Sequence, residues 1–175
     1  NTSIKYVNYE GRSITFEDYA FSNNIGILEV NIGGAISIGN YSFYNCNSMT
    51  SFVIDGLTGN MGEHAFDSCK SLKTFTIPQN TYYIGAYAFY DCNSLTTINI
   101  PYLVEHILPH TFYGCASLNS IELPDGIKTI GDNAFYGCVA LNNITIPSQC
   151  KTIGAEAFYN CSALTELIIP DSVTS

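Results

Sequence analysis

The apolar positions of this chain fall into columns of fixed period. Phe recurs at Phe21, Phe43, Phe66, Phe89, Phe112, Phe135 and Phe158, one step of 22 residues followed by steps of 23. A small residue precedes each one (Ala20, Ser42, Ala65, Ala88, Thr111, Ala134, Ala157), and five positions before each Phe stands Phe16, Ile38, Met61, Ile84, Ile107, Ile130 or Ile153. Six positions after it the column reads Ile27, Met49, Leu72, Leu95, Leu118, Leu141, Leu164. Nine and eleven positions after it come pairs such as Val30 and Ile32, Phe75 and Ile77, or Ile121 and Leu123. These pairs alternate with mostly polar residues, the period of two that marks a strand with one buried face. Pro78, Pro101, Pro124, Pro147 and Pro170 follow five of the strands and end them, since Pro has no N–H to donate to a ladder. Run backwards, the spacing falls on Ile4, Val7 and Tyr9, so a rung precedes the first Phe.

A unit this short, with one strand, cannot bury its own apolar side and must be covered by its neighbours. The expected fold is a β-rich α/β solenoid. Strands beginning near residues 4, 27, 49, 72, 95, 118, 141 and 164 predict an eight-stranded parallel sheet, roughly 34 Å long at the usual strand spacing. The opposite side of each coil is expected to carry short strands, turns or single helical turns, as in Ile130-Gly131-Asp132-Asn133-Ala134-Phe135. Residues 1–175 read as a single solenoid: a partial first rung over 1–15, about seven repeats of 22–23 residues, and an incomplete last repeat. The start at Asn1 and the truncated last coil lead us to expect a piece of a longer chain.

The repeated I-G-x-x-A-F-x-x-C-x-x-L-x-x-I-x-I-P, nearly complete in residues 130–147 and 153–170, resembles the BspA-type leucine-rich repeat. The resemblance covers essentially the whole chain. It implies a right-handed leucine-rich-repeat superhelix and a cell-surface or secreted protein of a microbe living with a host, engaged in adhesion to host proteins or neighbouring cells. It implies no catalytic residues.

Composition narrows the partners. Charged residues make up 12% of the chain, about half the usual share, so Asn, Ser and Thr keep it in solution. With 15 acidic and 6 basic residues the formal charge is -9, which repels phosphate backbones and anionic lipid. Nucleic acid is therefore not an expected partner. No apolar run is long enough for a membrane span, so no membrane insertion is expected either.

Columns of potential chemistry read as packing. Cys46, Cys69, Cys92, Cys115, Cys138 and Cys161 recur every 23 residues, three positions after the Phe, and Cys150 takes a slot held elsewhere by Val104, Ile127 and Val173. Side chains stacked in a column point the same way and not at each other, so all seven read as small buried hydrophobes. No Cys pair has zinc-ligand spacing. His106 and His110 lie four apart beside Glu105, but Pro109 interrupts the helix such a metal site needs. His64 stands alone, no phosphate-cradling glycine motif is present, and no catalytic constellation is visible. No cofactor is expected.

Two surfaces remain. Residues eight and ten after each Phe point away from the core. Among them, Glu29, Ser51, Thr74, Thr97, Asn99, Ser120, Glu122, Thr145 and Glu166 form the expected binding face for a macromolecular, protein ligand. One residue after Phe, Tyr90, Tyr113, Tyr136 and Tyr159 form a column suited to a sugar or a protein partner. A structural spacer that holds another domain away from the cell is a further reading. The terminal strand, with Leu164, Leu167 and Ile169, leaves an edge open to self-association at the C-terminal rung. Asn-x-Ser/Thr occurs at Asn1, Asn40, Asn143 and Asn160, and matters only in a eukaryotic secretory route.

Overall fold

The structure is a computed structural model that describes residues 3–11, 13–56 and 59–175; the Asn1 sequon lies outside these. Among the described residues, thirteen short strands are all paired in parallel. Six of them, β1 (Tyr6–Tyr9), β3 (Glu29–Ile32), β5 (Ser51–Ile54), β7 (Thr74–Phe75), β9 (Thr97–Asn99) and β11 (Ser120–Glu122), form the principal sheet. On the second side, β2 (Thr15–Phe16), β4 (Ser37–Ile38), β6 (Asn60–Met61) and β8 (Tyr83–Ile84) form one sheet. A separate one holds β10 (His106–Ile107), β12 (Thr129–Ile130) and β13 (Thr152–Ile153). The register follows the repeat, with Val7 beside Val30, Val30 beside Phe52, Phe52 beside Phe75 and Phe75 beside Ile98.

The apolar columns meet in one continuous core. Phe43, Phe66, Phe89, Phe112 and Phe135 are fully buried. Their rings stack with those of Phe21 and Phe158 at centroid separations of 5.3 to 5.7 Å. The cysteines line up beside them. Each thiol of the column donates to the carbonyl of the Phe one rung earlier, for example Cys92 Sγ to Phe66 O at 3.2 Å and Cys115 Sγ to Phe89 O at 3.2 Å. Burial pushes the Cys46 thiol up to about 12 and the Cys161 thiol up to about 11, away from the thiolate form that reacts or binds metal.

Two expectations are corrected. The principal sheet has six strands rather than eight. The seventh rung retains one bridge, Ser120 to Asn143, and the eighth, near Leu164, contributes no strand. Ile144 and Ile146 stay buried there, so apolar packing holds the register after the ladder has opened into a cleft between the last two rungs. The single helical turns on the opposite side are also absent: no helix occurs among the described residues.

Backbone hydrogen bonding explains the second correction. Around each Phe from Phe21 to Phe135 the amides alternate. Tyr19, Phe21 and Asn23 donate to Asn40, Ser42 and Tyr44 of the next rung, while Ala20, Ser22 and Asn24 donate three residues back within their own turn. A helix would need every amide for itself. Left-handed φ values at the positions two before and two after Phe, such as Tyr87 (58°) and Asp91 (52°), set this alternation, which a helix cannot accommodate. Gly114 (70°) and Gly137 (71°) meet the same demand without a Cβ penalty.

Candidate functional site

The strands of the principal sheet send alternate side chains outward, and neighbouring rungs bring these into rows. Ser51, Thr74, Thr97 and Ser120 are register partners in one row, continuing from Glu29. Glu122 and Asn99 are partners in the other. Glu29, Thr74, Thr97, Ser120, Glu122, Thr145 and Glu166 are exposed, whereas Ser51 and Asn99 are half-buried. A shallow depression of about 600 Å³ spans rungs β7, β9 and β11 and is lined by Thr74, Thr76, Gln79, Thr97, Ser120 and Glu122. Thr145 and Glu166 line a second hollow of about 300 Å³ nearer the C-terminus, and a third links the two across Ser120, Glu122 and Thr145. The charged members of the two outward rows are Glu29, Glu122 and Glu166. The surface therefore offers hydroxyls, amides and a few carboxylates, suited to polar and weakly basic groups.

Asn99 has a different task. Its Oδ1 accepts the Ile77 N–H at 2.8 Å and its Nδ2 donates to the Ile77 carbonyl at 2.8 Å. The side chain thus completes the ladder where β7 has stopped, and its polar atoms are committed to the fold.

The Tyr column exists as a stack. Tyr90, Tyr113, Tyr136 and Tyr159 follow one another at 4.7, 4.6 and 4.9 Å between centroids. Burial, followed by the charge of Asp91, raises the Tyr90 phenol above its ordinary value, and Tyr136 is raised as well. Because Tyr113 and Tyr136 each have a stacked neighbour on both faces, they offer a ligand ring edges and hydroxyls, and the end rings Tyr90 and Tyr159 have one stacked neighbour within this column. Asp67 stands in this column in place of a ring. It accepts from the Ser68 hydroxyl at 2.8 Å and pairs with His64 Nδ1 at 2.7 Å.

Sequence reasoning missed a second ladder, two positions before each Phe. Tyr19, Tyr41, His64, Tyr87 and His110 stack in that order, at 5.0 Å and then 4.4 Å for each later step, with rings within 9° of parallel. Its signal was the same 22–23-residue spacing, masked because Tyr and His alternate in the column and Asn133 and Glu156 end it. The ladder takes His64, which stands alone in the sequence, and His110, which the sequence sets four residues from His106. His106 is elsewhere: it lies on β10 and bonds Thr129 Oγ1 at 2.8 Å. Among the described residues no group of three His, Cys, Asp or Glu side chains is placed to hold a metal ion, and no helix could cross a membrane.

The comparisons with known proteins agree with this architecture. The profile of the BspA type Leucine rich repeat region matches in six copies, over residues 1–115 and 82–175. A leucine rich cell surface protein from Faecalibacterium prausnitzii A2-165 is 31% identical with a TM-score of 0.82, over 87% of this chain and 42% of that one. The T. pallidum Leucine Rich Repeat protein is 29% identical with a TM-score of 0.82, over 87% of this chain and 72% of that one. A leucine-rich repeat protein from Bacteroides ovatus is 27% identical with a TM-score of 0.74, over 97% of this chain and 52% of that one. The chain thus spans less than half of the Faecalibacterium protein and about half of the Bacteroides one. No curated protein matches the sequence. A repeat profile that covers the chain from end to end, on a solenoid of parallel strands, makes this chain a member of the BspA-type leucine-rich repeat family.

Proposed function

We propose that this chain is a non-catalytic, cell-surface or secreted module that mediates adhesion by binding a protein of the host or of a neighbouring cell through its principal sheet. The observation that carries the reading is the chain of linked hollows along the outward rows, from Thr74 to Glu166. Extended, regularly spaced surfaces of this kind are what repeat proteins use to hold macromolecules. The likeness to a leucine rich cell surface protein supports the location.

Carbohydrate binding through Tyr90, Tyr113, Tyr136 and Tyr159 is the weaker reading, because a sugar stacks on an open ring face and the inner rings have none to give. A spacer role leaves the hollows without a use.

The test replaces Thr97, Ser120 and Glu122 together by Lys and compares capture of host matrix and serum proteins with the parent chain. Asn99 is left in place because it holds Ile77. The variant is expected to keep its circular dichroism spectrum and to lose capture by about tenfold or more, the scale for removing central contacts of an interface. Unchanged capture moves the site off this sheet, and no capture by the parent chain favours the spacer.

A further inference from the structure

The second side of the solenoid is broken at one place. The short sheets β2-β4-β6-β8 and β10-β12-β13 would be one ladder if β8 paired with β10, and it does not. The cause lies four positions before Phe, where Gly39, Gly62, Gly85, Gly131 and Gly154 recur. Each of these glycines donates its N–H to the preceding rung, as Gly85 does to Met61 O and Gly131 to Ile107 O, both at 2.8 Å. A Cβ at Gly85 would sit 2.5 Å from the Glu63 amide nitrogen, and one at Gly131 would sit 2.6 Å from that of Pro109. The fifth rung carries Leu108 in this slot. Its side chain cannot fit against the rung before it, its N–H makes no such bond among the described residues, and the ladder parts.

The parting is a groove of about 280 Å³, lined by Tyr82, Tyr83, Leu103, Glu105, His106 and Leu108 together with Ile84. Two of these residues depart from their own columns in the same direction. Tyr83 stands where other rungs carry Asn60, Thr129 and Thr152, and Leu108 where Gly39, Gly62, Gly85, Gly131 and Gly154 stand; Leu103 shares its column with Leu57, against Asn80, Gly126 and Gln149. Tyr82 is 54% exposed, Tyr83 37% and Leu103 41%. Large apolar side chains left in water around one hollow mark an interaction surface. No Lys or Arg lines it. Glu105 lies on its wall with its carboxylate already paired to Lys128 Nζ at 2.6 Å, so the carboxylate left to a partner is that of Glu63, which adds to burial in raising the Tyr83 phenol. Aromatic faces beside carboxylates suit a cation carried on an apolar stem.

We propose that the Leu108 break is a second docking site, separate from the principal sheet, which takes an extended partner segment presenting an aliphatic side chain next to Arg or Lys. The aliphatic group fills the hollow over Leu103 and Leu108, and the cation lies on Tyr82 and Tyr83 on the side of Glu63, away from the Glu105–Lys128 pair. The formal charge of -9 draws a basic segment and repels a second copy of this chain.

The test uses the whole chain and the acetylated, amidated tetrapeptide Arg-Leu-Leu-Arg, with Glu-Leu-Leu-Glu as control, read by NMR shift perturbation up to millimolar peptide. The comparison variant combines Tyr83→Thr and Leu103→Asn, residues already used in these columns by the rungs of Thr129 and Asn80, so the fold is expected to be kept. The basic peptide should shift Tyr82, Tyr83 and Leu103, and its affinity should fall about tenfold or more in the variant. The proposal is overturned if the basic peptide leaves those residues unshifted, if the acidic peptide binds equally well, or if the variant binds like the parent. It is also overturned if the same residues shift with protein concentration alone, which would make a second copy the occupant.

Discussion

A buried Phe in this chain belongs to three rungs at once. Phe112 stacks on Phe89 at 5.7 Å and on Phe135 at 5.4 Å, and its amide donates to Ala134 of the next rung at 2.9 Å. Its carbonyl receives the Cys138 thiol at 3.2 Å. Truncating it opens a cavity that stacked neighbours cannot collapse into. Phe112→Ala is therefore expected to cost about 3–5 kcal/mol in chemical denaturation, with the hydrogen bonds left in place. His110 sets a different dependence. Burial lowers its pKa, opposed by Asp132 and reinforced by His64, and its Nδ1 has no hydrogen-bond partner. A histidine with a depressed folded pKa binds its proton more readily in the unfolded chain, so its contribution is complete above its ordinary value of about 6.5 and is lost as pH falls through the folded value. The melting temperature should drop as pH falls below about 6.5, and His110→Asn should reduce that drop. The Phe and Cys columns were legible from residue type and spacing alone. The task of Asn99 was not, because an outward Asn on a strand looks the same in sequence whether its amide faces solvent or closes its neighbour's backbone.

At the scale of the element, the repeat specifies a turn rather than a helix. The I-G-x-x-A-F stretch has the length of a helical turn, yet its amides are shared between their own rung and the next. That sharing depends on the neighbour's position and could not be read from one repeat. The glycine slot is the other decisive element feature, since it lets successive rungs approach closely enough to bond. Leu108→Gly should restore what that rung lacks. Hydrogen exchange is expected to show new protection at residue 108, with the gain of about one hydrogen bond, some 0.5–1.5 kcal/mol in stability. Unaltered exchange there would mean that Leu108 is not what keeps β8 and β10 apart. Conversely, the weakening of the ladder after β11 has no counterpart in the sequence, for Ile144 and Ile146 keep the strand pattern intact while the pairing shrinks to the single bridge of Ser120 to Asn143.

Across the whole molecule, packing columns fill the interior and the differences between rungs lie on the outside. The principal sheet presents Thr74, Thr97, Ser120 and Glu122 over a hollow of about 600 Å³, and the turn side spends its aromatic faces on stacking. This division is why the proposed adhesive surface is the sheet. Hydrogen–deuterium exchange of the chain with and without a captured host or neighbouring-cell protein tests that claim most directly, because it reports both faces in one experiment. Slowed exchange over residues 74–76, 97–99 and 120–122, with the turns around Tyr90, Tyr113 and Tyr136 unchanged, is the predicted result. Protection confined to those turns, with the three strands exchanging as in the free chain, would contradict it.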